Sequence, residues 1–112
     1  MLDFILGAIG ALFDAIGELV AIIIDGVFSF FKHVVSYFKG LALRKGRDIP
    51  FIADENKLAE LIHKAPTKNV GIFEATYNED TNELENYRAI EADELDEDTK
   101  NILDQEKLVV LS

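Results

Sequence analysis

The reading of one stretch decides the fold: Met1–Leu43, MLDFILGAIGALFDAIGELVAIIIDGVFSFFKHVVSYFKGLAL, which has no proline and a polar residue only every few positions. Set on a helix at about 100° per residue with Asp3 at zero, Asp14 falls at about 20°, Glu18 at about 60° and Asp25 at about 40°. Lys32 and Lys39 land at roughly 20° and roughly 0° on the same wheel. Gly7, Gly10, Gly17 and Ala21 lie within about 40° of Asp3, and Ile, Leu, Val and Phe fill the remaining circumference. Charges confined to a sector of about 60° predict one continuous helix with a narrow polar stripe.

Such a helix is long enough to cross a bilayer, which needs about 20 apolar residues. The insertion arithmetic is close. The apolar side chains from Phe4 to Phe31 contribute about −5 to −10 kcal/mol, and Asp14, Glu18 and Asp25 oppose them by up to about 2.5–3.5 kcal/mol each. A single copy is therefore marginal, and a stripe facing other copies or water resolves the conflict. The expected architecture is α+β: a long hydrophobic, transmembrane helix over residues 1–45, then a small acidic domain over 46–112. The stripe Asp3, Gly7, Gly10, Asp14, Gly17, Glu18, Ala21, Asp25, Lys32 and Lys39 is the expected oligomerisation surface. The alternatives are packing of the same helix in an assembly without lipid, and a helix lying flat on a surface or a helical hairpin broken at Gly17 or Gly26.

The charge is uneven. The 112-residue chain has a formal charge of −10, with four acids and two bases in 1–43 and seventeen acids and nine bases after it. That balance argues against nucleic acid, whose phosphates need a basic face. Yet Lys32, Lys39, Arg44, Lys45 and Arg47 follow one another with no acid between them. By the positive-inside rule this basic cluster orients a span with its N-terminus outside and residues 46–112 in the cytoplasm. A cytoplasmic assembly is the other placement. The absence of cysteine excludes disulfides and thiolate chemistry.

Gly46 and Pro50 mark the domain boundary. After it, Asp54 suits the N-cap of a helix over 55–64 that Pro66 closes. Residues 69–77 (NVGIFEATY) and 84–92 read as strands joined by the polar turn 78–83. A helix starting at Asp96, with acids in its first turn, and a last strand over 107–111 complete an α-β-β-α-β unit. A crossover from the second strand to the third predicts a three-stranded antiparallel sheet in which the last strand lies beside the first.

No motif for nucleophilic, phosphate or dinucleotide chemistry is present. His33 and His63 have no companions at metal-ligand spacing, so no metal or cofactor is expected. The acidic run Glu91, Asp93, Glu94, Asp96, Glu97 and Asp98 has no apolar neighbours to shift a pKa and reads as a helix N-terminus or a docking surface for a basic protein. The functional expectation is a non-enzymatic, self-assembling membrane protein whose helices form a bundle or pore-like array. Two alternatives stand beside it. One is a soluble structural subunit of a filament, shell or injection-type assembly that polymerises through the N-terminal helix, and the other is a membrane-permeabilising toxin or defence effector.

Overall fold

The helix expected over residues 1–43 stops at Ile16 in the computed structural model, which describes residues 2–104 and 106–111. Helix α1 (Leu2–Ile16) is closed by Gly17, whose φ of +79° is left-handed and whose N–H donates to the Phe13 carbonyl at 2.8 Å. A left-handed glycine just past the last turn is a common helix stop. Beyond it Val20, Ile22, Ile23, Ile24 and Val27 are β-branched, and their stiff side chains favour extended backbone. Strand β1 (Ala21–Phe28) follows. Helix α2 then runs as a π-helical turn, Phe31–Val35, continuing into α-helical Ser36–Lys39.

The stripe charges therefore fall on three elements and the connection after α1, and their helical spacing across those elements is accidental. No helix among the described residues is long and apolar enough to cross a membrane. This overturns the transmembrane helix and the membrane placement with the N-terminus outside.

The sheet is also different from the three-stranded antiparallel one expected. Strands β2 (Asp48–Asp54), β3 (Val70–Asn78), β4 (Glu83–Leu95) and β5 (Leu108–Val110) join β1 in a five-stranded mixed sheet of order β1-β4-β3-β2-β5. The class remains α+β. Strand β1 runs parallel to β4, with Ala21 opposite Ala89 and Phe28 opposite Leu95; the other pairings are antiparallel. Strand β2 comes from the stretch expected to be a boundary, and Pro50 does not interrupt it. The Pro50 carbonyl accepts from Leu111 N–H at 2.8 Å, so its missing donor faces the short β5 side and the β3 ladder is intact. With β2 in place, β5 pairs with β2 and not with β3.

Between β2 and β3 the chain makes a turn through Glu55–Leu58 before the short helix α3 (Ala59–Ile62), which His63 ends at φ +58°. Helix α4 (Glu97–Leu103) starts where expected, with Asp96 accepting from Thr99 N–H at 3.0 Å. Helices cover both faces of the sheet. On one face Ile5, Ile9 and Phe13, one turn apart along α1, pack with Ile62 on Phe51, Phe73, Ala75 and Tyr77. On the other, Val34 and Phe38 of α2 and Leu103 of α4 cover Ile52, Ile72, Ile90 and Ala92. Burying that stripe of α1 turns Asp3, Gly7 and Asp14 outward to solvent.

Candidate functional site

Strand β1 ends the sheet, paired to β4 on one side and to no strand among the described residues on the other. Exposed apolar side chains flank that edge: Val20, just before the strand, is 89% exposed, Ile23 53%, Ile22 48% and Val27 45%. Edge strands are ordinarily short, charged or interrupted by proline, because their free N–H and C=O groups template pairing with another chain. Here the strand is eight residues long with one charge, Asp25. That charge is held from within: Lys68 Nζ lies 3.0 Å from Asp25 Oδ1 and 3.0 Å from Asp93 Oδ1 of β4. A bulge between Ile24 and Val27 contains Gly26 at φ +125°, whose N–H donates to Asp93 Oδ2 at 2.8 Å.

The stripe residues are thus distributed. Asp3, Gly7, Gly10 and Asp14 share a face of α1, with Gly10 tucked against α3, where a Cβ would meet Leu61 Cδ1 at 3.0 Å. Gly17 and Glu18 lie in the connection, Ala21 and Asp25 on β1, and Lys32 and Lys39 on α2. Glu18 pairs with Lys64 at 2.8 Å, and Asp14 approaches His63 Nε2 at 3.4 Å. Of the basic cluster, Lys32, Lys39, Arg44 and Lys45 are exposed, whereas Arg47 binds Asp48 at 2.8 Å. The Arg47 hydrogen bond, with an N–H from Arg44, holds the Asp48 carboxyl below its usual range.

The acidic run divides in the same way. Glu94, Glu97 and Asp98 are accessible, while Glu91, Asp93 and Asp96 each bind donors. Glu91 Oε1 accepts from Thr67 Oγ1 at 2.6 Å, Thr67 N–H at 2.9 Å and Lys68 N–H at 3.1 Å. Burial pushes its pKa up, but these donors prevail and hold it low. Its neighbour is Glu55, only 6% exposed, which no local motif announces. Burial first, and the Glu91 charge second, push the Glu55 pKa up to about 7. The two carboxylates line a recess with Phe13, Leu19, Ile62 and Pro66, and Glu18 and Lys64 lie at its rim.

A further buried carboxylate, Glu74, stands on the opposite face of the sheet beside Arg88, and burial raises its pKa to about 7 despite that guanidinium. His33 is structural: Ser29 N–H donates to its Nδ1 at 2.9 Å, its ring lies 5.2 Å from that of Phe28, and burial lowers its pKa. No group of three or more potential metal ligands exists among the described residues. Compared with models of protein families, with curated proteins and with solved structures, the chain matches none.

Proposed function

We propose that this protein is a structural, non-enzymatic subunit that associates with copies of itself through its N-terminal segment, by way of the β1 edge. The observation that carries this reading is the long, apolar, unpaired edge of β1. Two such edges are self-complementary when run antiparallel about a twofold axis. A register centred between Ile23 and Ile24 sets Asp25 opposite Ile22 of the copy, so like charges do not face each other. The pairing joins two sheets into one and covers Val20, Ile22, Ile23 and Val27. A twofold joint alone closes a dimer; growth into a filament or shell needs a second contact, which the β5 edge with its exposed Val110 offers.

The test is mass in solution by light scattering across a concentration series. Wild type is expected above monomer mass, and Ile22→Lys with Ile23→Lys is expected to return it to monomer with unchanged circular dichroism. A wild-type monomer at every concentration, or a double variant that assembles as well as wild type, overturns the proposal.

A further inference from the structure

Gly71 of β3 lies directly opposite Glu91 of β4, so a side chain at 71 would stand about 4.5–5.5 Å from that of Glu91, Cβ to Cβ. Residue 71 has no side chain, and Glu55 occupies the place. Its Oε1 sits 2.5 Å from where a Cβ on residue 71 would be, and Pro66 Cβ closes on the same point at 2.9 Å. The glycine is needed for space rather than for its backbone angle. Two carboxylates from distant parts of the chain, 6% and 3% exposed, thereby become neighbours.

Their hydrogen bonding is unequal. Glu91 Oε1 takes three donors, whereas the Glu55 carboxylate receives none among the described residues, although it is more than nine-tenths buried and lines the recess. The Glu55 oxygens are not sealed off, since the buried side-chain oxygen without a partner among the described residues is Glu74 Oε2, so they open on the recess and take their donors from outside the fold. The recess holds about 10 Å³, room for a group the size of one water. Its walls, Phe13, Leu19, Ala21 and Ile62, are apolar. Among the described residues three acids, Glu18, Glu55 and Glu91, face it against one base, Lys64, and that lysine is bound at the rim to Glu18 Oε1 at 2.8 Å.

We propose that the Glu55–Glu91 recess binds a primary ammonium group, with its N–H donors shared between the two carboxylates and its alkyl stem against Phe13 and Leu19. The head must be water-sized, cationic and rich in donors, which describes R–NH3+. A divalent ion would need more oxygen ligands than two carboxylates supply. A quaternary ammonium has no N–H and is too large. The ammonium is that of a free amine; Lys64 of the same chain, swinging inward, is the competing occupant, and the experiment separates the two. The proposal does not rest on self-assembly, so β1 edge variants should leave it unchanged.

The probe is methylammonium chloride, followed through the amide NMR shifts of Thr67, Lys68 and Gly71, with tetramethylammonium and sodium chloride at equal ionic strength as controls. Saturable shifts with methylammonium alone are expected. Glu55→Gln and Glu91→Gln should each weaken them by about tenfold or more. Lys64→Met should bind at least as well as wild type. If Glu91→Gln does not fold, Glu55→Gln decides, since its carboxylate has no partner to lose among the described residues. The proposal is overturned by equal shifts with sodium, by saturation that survives Glu55→Gln, or by no saturation in wild type. Saturation only in Lys64→Met would assign the recess to the protein's own lysine, and overturns it too.

Discussion

Arg88 Nε donates to Glu74 Oε1 at 2.6 Å across the β3–β4 ladder, where the two residues stand directly opposite and Glu74 is completely buried. The same guanidinium lies 3.7 Å from the centroid of the Tyr37 ring and donates through Nη2 to the His33 carbonyl at 2.8 Å. One side chain thus neutralises a buried charge and ties α2 to the sheet. Among the described residues, Glu74 Oε2 has no partner. Arg88→Ala should therefore destabilise by about 3 kcal/mol, the low end for breaking a buried pair because Arg88 keeps some solvent contact. Glu74→Leu combined with Arg88→Leu should recover most of that loss, since replacing both partners removes the unpaired charge. Urea unfolding of the two variants checks it, and a double variant no more stable than Arg88→Ala would refute the account.

Glu55 and Glu74 both have pKa values near 7 in the folded protein, against an ordinary 4.5. A carboxyl raised in this way binds its proton more tightly when folded, so its stabilising contribution is complete below the unfolded pKa and is lost as pH rises through the folded one. Each shift corresponds to at most on the order of 3 kcal/mol between those limits. Asp48 and Asp93 act oppositely: hydrogen bonds from Arg47 and from Lys68 lower their pKa values, and their contribution is lost only as pH falls through those lowered values. The urea midpoint should therefore be highest at roughly pH 5 and fall toward pH 8. Glu55→Gln should remove part of that fall. A midpoint that rises from pH 5 to pH 8 would contradict the assignment of both groups.

Local chemistry made part of the fold legible. The Asp96 cap, the polar turn 78–83 and the stretch of β-formers before it are signals contained within a few residues, and the helix and hairpin they announce are where the sequence places them. Strand β1 was not legible because an apolar stretch with few polar residues carries no clear period, and six charges happened to fall at helical spacing. Strand β2 was hidden by Pro50, whose tolerance depends on how far β5 extends beside it. The recess was the least visible feature. Glu55, Gly71 and Glu91 have no sequence relationship, and the glycine matters only once a ladder places it opposite Glu91.

Asp96 does more than cap α4. Besides Thr99 N–H, its Oδ1 accepts from Thr99 Oγ1 at 2.6 Å, and its Oδ2 accepts from Phe30 N–H at 2.9 Å, at the entry to α2. Thr99 is fully buried, so losing this carboxylate orphans donors at both helix starts. Asp96→Ala should destabilise by about 2 kcal/mol, the upper end for a cap, and Asp96→Ser should restore roughly half by keeping an acceptor for Thr99 alone. Thermal or urea unfolding measures both. Equal losses for Ala and Ser would mean that the Phe30 contact carries the effect.

Gly17 offers a sign rather than a magnitude. In an uninterrupted helix over residues 1–43, Gly17→Ala would stabilise by about 1 kcal/mol, because alanine is the better helix former. In the fold described here Gly17 closes α1 at φ +79°, with open space where a Cβ would project, so the change introduces strain in the backbone and no clash. An L-residue held in that region costs about 1 kcal/mol, and Gly17→Ala should destabilise by that amount. Gly7→Ala is the control: it lies within α1 with nothing near its Cβ, and should stabilise. Unfolding midpoints that move in opposite directions for the two alanines fix the helix end at Ile16. Midpoints that both rise would extend the helix through Gly17 and remove the β1 edge on which self-association is proposed to rest.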